Sequence, residues 1–323
     1  MQLVKRVLDK FNGLHYKREY ICFAAGNHTD PIHAYLVANE HIIKDITNQH
    51  LFTGYSPLVF AFPPSWNDHL PPSIEILFSQ QALSPNEQLL KKDALARLSL
   101  KRVSEMSTTS GNIFFYEGTN GHHHFLSAFH QFLNGLNNDW FNKKPGNVYL
   151  HNNLYRQVQI AYAVPRNISL ISIGSDGLFN LFPTDLHGQV DQQHYIISLR
   201  TGGKAAEQVM SAGKLLISRV DAGISKQAYA LGKNHMQEPK TIENFPFSNE
   251  RSAELSLPVP QQALSYKELS LLGSFTQGIH TIFLFRIISA KQFSDEAGAL
   301  SHIHNSYATW RHNKGLQGNY LLF

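Results

Sequence analysis

The stretch from Tyr195 to Gly213 has the sequence YIISLRTGGKAAEQVMSAG, and it decides how the second half of the chain is interpreted. Its first residues form a mostly apolar run that predicts a strand ending at Arg200. Two glycines then free the backbone to turn, and a helix is predicted to run to Gly213, which suits a C-terminal cap. The predicted apolar face of this helix comprises Ala206, Val209 and Met210, and a further strand is predicted at Lys214–Val220.

The turn between this strand and this helix has the features of an anion site. The first N–H groups of a helix have no acceptor within the helix, so they attract an anion. Arg200 and Lys204 flank the turn and can add charge-assisted hydrogen bonds. The turn therefore predicts phosphate binding, with a solvated loop as the alternative. The Walker pattern and the Gly-x-Gly-x-x-Gly fingerprint are absent from the sequence, which argues against an ATPase and a Rossmann dehydrogenase.

Two further segments extend this pattern. Upstream, residues 169–186 predict a strand, an Asp176-Gly177 turn and a second strand. Downstream, residues 277–288 form a long alternating strand with His280 near its start. Together, the three segments resemble the flavin-reductase-like, FMN-binding split-barrel proteins. The resemblance covers the chain from Arg156 to its C-terminus.

The resemblance implies a C-terminal split β-barrel that binds FMN noncovalently, in a homodimer. It places Asn180, Pro183 and Thr184 beside the flavin ring or ribityl chain. It assigns the phosphate to Ser198, Arg200 and Lys204, with the amides of Gly202 and Gly203 assisting. His280 is expected to face the flavin or a nicotinamide, and a structural role is the alternative. The sequence departs from the family at residues 187–193, where Asp-Pro-Pro is usual, and at Ala205, where Thr or Ser is usual.

The implied function is that of a flavin-binding oxidoreductase that transfers hydride between NAD(P)H and flavin. The isoalloxazine carries out the redox chemistry, so no side chain is assigned as catalytic. Two alternatives stay open. One is an electron-carrier module that recognises a redox partner protein, and the other is a degenerate barrel that serves as a structural or partner-binding unit.

The whole chain is predicted to be α+β, with an N-terminal α+β domain of no assigned family at 1–147 and the FMN-binding barrel at 148–323. The polar segment Asn137–Asn147 marks the boundary. A capping box at Ser84–Glu87 predicts a helix over about 85–106, and a second helix is predicted around Phe125, Phe129 and Leu133. Strands are predicted at 19–24, 32–38, 57–62, 73–78 and 112–116, and later at 158–164, 168–173, 195–199, 215–220 and 278–288.

Composition limits the function classes. The 323 residues are 42% hydrophobic and 16% charged, and the net charge of +4 comes from scattered basic residues, which argues against a nucleic-acid partner. The start of the chain lacks the pattern of a secretory signal, and Arg286 interrupts the longest apolar stretch, so we expect a cytoplasmic protein without a membrane partner. The lone Cys22 is expected to be buried and inert. No metal site is predicted, because the adjacent residues His122, His123 and His124 cannot all face one ion.

Overall fold

The computed structural model describes residues 11–38, 41–47, 51–83, 89–143, 148–151, 153–316 and 318–321. The chain divides into two compact units. Unit 1 comprises the described parts of Met1–Ile21, Thr29–Val164 and Ile303–Gln317, and unit 2 those of Cys22–His28, Pro165–His302 and Gly318–Phe323. Within the described residues, no helix is long and apolar enough to cross a bilayer. The functional domains 1–147 and 148–323 stay a prediction.

Unit 1 is built on an antiparallel seven-stranded sheet in the order β3-β2-β6-β7-β8-β5-β4. A short strand, β1 (Tyr20–Ala24), precedes it, and the predictions of strands at 19–24, 32–38, 57–62, 73–78 and 112–116 are confirmed. The seven strands are β2 (His33–Ala38), β3 (His41–Asp45), β4 (Leu51–Tyr55), β5 (Leu58–Phe62), β6 (Ser73–Ser79), β7 (Ala96–Thr108) and β8 (Gly111–His123).

The helix predicted over 85–106 is wrong wherever the structure describes these residues, because 89–95 form a turn and irregular chain and β7 begins at Ala96. The spacing of Leu90, Ala94 and Leu98 fits a helix, but Leu90 is exposed and the buried residues of β7 alternate. Strand β8 pairs with β7 from Ala96 to Thr108 and β6 pairs with Ala96–Lys101, and these two ladders fix β7 as extended. The capping box at Ser84–Glu87 lies outside the described residues.

Helices of unit 1 follow the sheet. Helix α1 (Ala128–Asn137) is capped by Ser127, whose side chain accepts a hydrogen bond from the amide of His130, and a π-helical turn, Asn138–Asn142, follows it. The prediction of a helix here is confirmed, but Phe129, one of the residues on which it was based, is exposed, and Phe125 lies before the helix begins.

Residues 158–164 were predicted as a strand, and this prediction is wrong. The chain forms helix α2 (Asn153–Ala161) instead. Val158, Ile160 and Tyr162 do alternate with other residues, yet Gln157 and Ala161 are buried as well. Every residue from Gln157 to Ala161 is buried, so burial does not alternate as on one face of a strand, and the second half of this helix is buried all round.

Unit 2 contains an antiparallel eight-stranded sheet in the order β12-β13-β19-β18-β14-β10-β11-β15. The predicted strands at 168–173, 195–199, 215–220 and 278–288 are confirmed, and the closure of this sheet into a split barrel stays a prediction. The strands of unit 2 are β9 (Arg166–Asn167), β10 (Ser169–Ser175), β11 (Leu178–Thr184), β12 (His187–Gln189), β13 (His194–Arg200), β14 (Lys214–Val220), β15 (Lys240–Thr241), β16 (Phe247–Arg251), β17 (Pro258–Pro260), β18 (Ala263–Gln277) and β19 (His280–Gln292).

Two α-helices lie between these strands, α3 (Lys204–Ala212) and α4 (Ser225–Ala230). Short 3-10 turns cover Ala25–Asn27, Pro64–His69, Ala222–Ile224, Leu231–Met236, Ile242–Asn244 and Glu296–Gly298. Helix α3 buries Ala206 and Val209 against the sheet as predicted, whereas Met210 is about half exposed and does not belong to the buried face. The chain ends with strand β20 (Leu300–His304) and helix α5 (Asn305–Asn313).

Candidate functional site

The predicted phosphate turn lies between β13 and α3. Gly202 has a φ of +71°, which explains the glycine there, and an added Cβ would meet no atom within 4 Å. The amide of Gly203 donates to the carbonyl oxygen of Arg200 at 3.1 Å. Gly203 is the N-cap of α3 and no side chain caps this helix end. The first amides of α3 therefore have no side-chain acceptor at the cap, and the helix ends, as predicted, at Gly213 with a φ of +62°.

Pairing of β13 with β19 brings His280 to this turn. Arg200 and His280 are opposite each other in the register, and the amide of Thr201 donates to the carbonyl oxygen of Ile279 at 2.8 Å. Arg200 is exposed, whereas His280 is only 2% exposed. Burial, with a smaller contribution from Arg200, lowers the pKa of His280 to about 4, although Asp185 acts in the opposite direction. His280 is therefore uncharged at neutral pH.

Lys204 is engaged by two carboxylates. Its Nζ lies 3.1 Å from an oxygen of Glu238 and 3.4 Å from an oxygen of Glu207. Hydrogen bonds to Glu238 and Glu207 raise the pKa of Lys204. The two glutamates offset the charge of Lys204, so Arg200 is the main source of positive potential at the turn.

Ser198 lies two residues before Arg200 and shares its face of β13, because side chains alternate along a strand. The intervening Leu199 and its neighbour Ile197 belong to the core on the other face. Ser198 is 2% exposed, and its hydroxyl has no hydrogen-bond partner among the described residues. A buried hydroxyl without a partner is unusual and can bind a polar group of a ligand.

Asn180 lies on β11, in a hairpin whose turn has positive φ at both Asp176 and Gly177. The side chain is buried, and its Nδ2 donates to Gln208 Oε1 at 2.7 Å and to the carbonyl oxygen of Asn234 at 3.1 Å. Its Oδ1 has no partner in the described part of the chain. The amide nitrogen of Asn180 thus holds β11 against α3 and the 231–236 turn, and only Oδ1 is available to a ligand.

Pro183 and Thr184 follow on the same strand. The carbonyl oxygen of Pro183 is 2.7 Å from Nε2 of His235, and Thr184 is 7% exposed. An added Cβ at Gly203 would lie 3.6 Å from Sδ of Met236. The 231–236 turn therefore contacts both β11 and the start of α3, and brings Asn180 and Pro183 into the neighbourhood of Gly203.

Several residues of this neighbourhood were missed by the sequence analysis. Gln208 and the residues of the 231–236 turn have no motif, so only folding shows that they contact β11. Asp185 was also missed. Its carboxylate is 2.9 Å from Nε2 of His302, and His302 Nδ1 is 3.1 Å from the hydroxyl of Tyr229. Cys22 is buried as predicted, with its Sγ 3.4 Å from the same hydroxyl.

Comparison with known proteins finds similarity to parts of solved structures only. No protein-family model matches the chain, and no curated protein matches it by sequence. The solved structure of NADH:FAD oxidoreductase SgcE6 of Streptomyces globisporus is similar with a TM-score of 0.41 and 14% identity, over 50% of this chain and 96% of that one. The structure of FMN-binding protein from Thermus thermophilus is similar with a TM-score of 0.35 and 18% identity, over 40% of this chain and 72% of that one. The structure of the styrene monooxygenase flavin reductase of Pseudomonas putida S12 is similar with a TM-score of 0.35 and 17% identity, over 42% of this chain and 84% of that one.

Proposed function

We propose that unit 2 binds a flavin, as FMN, with the phosphate at the turn from Arg200 to Lys204. The observation that carries this proposal is the uncapped N-terminus of α3 beside the exposed Arg200. The amides at the start of α3 and the positive end of the helix dipole favour an anion at this position, although the amide of Gly203 itself donates to the carbonyl oxygen of Arg200. The open surroundings of Gly202 leave the backbone accessible to a ligand.

The donors present fit a phosphate and a polar cofactor. Arg200 can bind the phosphate as a fork, and the partnerless hydroxyl of Ser198 on the same face adds a hydrogen-bonding group. Lys204 contributes less, because it shares its charge with Glu207 and Glu238. Asn180 can offer its Oδ1 to a flavin, alongside the backbone of Pro183 and Thr184.

A bound flavin supplies the hydride-accepting chemistry, and we propose NAD(P)H as the hydride donor. The protein binds and orients both partners. His280 is uncharged at neutral pH, so its imidazole can donate or accept a hydrogen bond at the flavin or nicotinamide ring but adds no charge there. No side chain is assigned as the catalytic acid or base. A homodimer in the cytoplasm stays part of this proposal.

Calorimetric titration with FMN and with riboflavin tests the proposal directly. FMN should bind more tightly, because only FMN carries the phosphate that Arg200 and the α3 amides would bind. Equal affinities would show that the turn does not bind phosphate. Oxidation of NADH or NADPH after addition of FMN then distinguishes an enzyme from a module that only carries electrons.

A second candidate is a structural or partner-binding unit that binds no cofactor. The ion pairs of Lys204 and the internal hydrogen bonds of Asn180 favour it, since both side chains are already used within the fold. The two candidates differ in a simple spectrum. A protein that gives no flavin absorbance after incubation with FMN and gel filtration supports the structural unit, whereas retained flavin bands contradict it.

A further inference from the structure

Unit 1 contains a hollow of about 460 Å³ between the end of β8, the start of α1 and α2. Its lining includes His122, His124, Phe125, Ser127, Gln131 and Arg156. A second hollow of about 310 Å³ shares Gln131 and Arg156 with it and extends to Asn153 and Tyr155. The larger hollow alone has a volume that suits a small organic molecule.

Two of the three adjacent histidines face this hollow. His122 and His124 are two residues apart on extended chain, so they lie on one face, and their ring centroids are 4.6 Å apart. His123 points to the opposite side, where it is fully buried with its Nε2 3.0 Å from Gln159 Oε1. Burial lowers the pKa of His123 to about 3, so His123 stays uncharged.

Arg156 completes a group of nitrogen donors at the hollow. Within the described part of the chain, Arg156 makes no ion pair and no hydrogen bond, and the rings of His122 and His124 make no hydrogen bond. None of the described residues that line the larger hollow is acidic, whereas Asp139 lines the second one, so the larger hollow is the better place for an anion. Arg97 lies opposite His122 in the β7–β8 register and adds a further positive charge.

We propose that this hollow binds a small oxyanion, the phosphate or carboxylate group of an organic molecule. The guanidinium of Arg156 can bind two oxygens as a fork, and the rings of His122 and His124 can each donate one N–H. Phe125 and Leu126 provide an apolar wall for the body of the molecule. The residues of this site belong to unit 1, whereas those of the proposed flavin site belong to unit 2.

The charges around His122 predict how anion binding at this site depends on pH. Burial, followed by His124, Arg97 and Arg156, lowers the pKa of His122. These neighbours come from the end of β8, from β7 and from α2. A bound anion would offset their charge and raise the pKa of His122, and by linkage the anion would bind more tightly as the pH falls.

The experiment is an NMR titration with sulfate, whose charge is constant over the range in which histidine titrates. The Cε1–H signals of His122 and His124 are assigned with His122→Gln and His124→Gln. We expect saturable shifts of both signals and a higher pKa for His122 in the presence of sulfate. Inorganic phosphate and benzoate, titrated at one pH, then distinguish a preference for phosphate from one for carboxylate.

Arg156→Gln should weaken sulfate binding about tenfold or more and abolish the sulfate-induced rise in the pKa of His122. Arg156→Lys retains the positive charge, so it should keep part of the sulfate affinity and part of this pKa rise. Lys101→Gln is the matched control, since it removes an exposed positive charge from β7 at a distance from the hollow. Arg200→Ala should leave the His122 response unchanged. The proposal is overturned if sulfate causes no saturable shift in the wild type, or if Arg156→Gln responds as Lys101→Gln does.

Discussion

Arg200 and His280 are opposite each other in the last residue pair of the antiparallel β13–β19 ladder. The pair combines a permanent cation at the surface with a buried imidazole that is neutral because its pKa is about 4. The charge that an anion would meet at this end of the ladder therefore comes from Arg200. His280 adds no charge there.

The first prediction concerns Arg200. Arg200→Ala should raise the dissociation constant for FMN about tenfold to a hundredfold, because one charge-assisted contact is lost. Arg286→Ala is the matched control, since Arg286 is an exposed arginine on the same ladder, opposite His194. Calorimetry measures both. The same affinity in the two variants would remove Arg200 from the phosphate site.

The second prediction concerns pH. The pKa of His280 falls from 6.5 to about 4 on folding, so the unfolded chain binds an extra proton between these values. The free energy of unfolding should therefore decrease as the pH falls through this window, by up to about 1.4 kcal/mol per pH unit from this residue. His187 acts in the same direction, because burial also lowers its pKa to about 4.

Urea unfolding at several pH values checks this slope. His280→Gln should unfold with a shallower dependence on pH than the wild type, whatever its absolute stability. His151→Gln, which removes an exposed histidine, should keep the steepness of the wild type. An unchanged slope in His280→Gln would mean that His280 is not buried in its neutral form.

The third prediction concerns the cap of α3. Gly213 has a φ of +62° and no atom within 4 Å of an added Cβ, so only the backbone opposes a side chain there. Gly213→Ala should cost about 1 to 2 kcal/mol of stability. Gly135→Ala is the control, because Gly135 lies within α1 with equally open space, and alanine there should be neutral or stabilising. Denaturant midpoints would contradict the prediction if the two substitutions had equal effects.

The fourth prediction concerns Asn180. Its Nδ2 donates to two oxygens, so Asn180→Asp would place a carboxylate against two acceptors. We expect a loss of about 1 to 3 kcal/mol, the cost of a buried polar group without its partner. Asn244→Asp, at an exposed position, serves as the control. Equal stability of the two variants in urea would show that the Asn180 amide does not hold β11 to α3 and the 231–236 turn.

The sequence by itself determined the features that depend on local backbone geometry. The Asp176-Gly177 turn and the Gly213 cap require positive φ, and few residues other than glycine, asparagine and aspartate adopt it readily, so their identity predicts the conformation. Several strands of unit 2 were also predictable, namely β10, β11, β13, β14 and β19, because their alternating or continuous apolar runs are bounded by turn residues. The long strand β18 (Ala263–Gln277) was not predicted. The spacing of apolar residues failed where it fits both a helix and a strand. It predicted a helix where the chain forms β7 and a strand where the chain forms α2.

Only the tertiary structure decided which side chains meet. The pairing of Arg200 with His280 follows from the register of two strands far apart in the sequence. The engagement of Lys204 by Glu238, and of Asn180 by Gln208 and Asn234, depends on where the 231–236 turn packs. Charge and hydrogen bonding at a site are set by neighbours in space, and burial sets the pKa of His280, so none of these properties could be obtained from residue spacing.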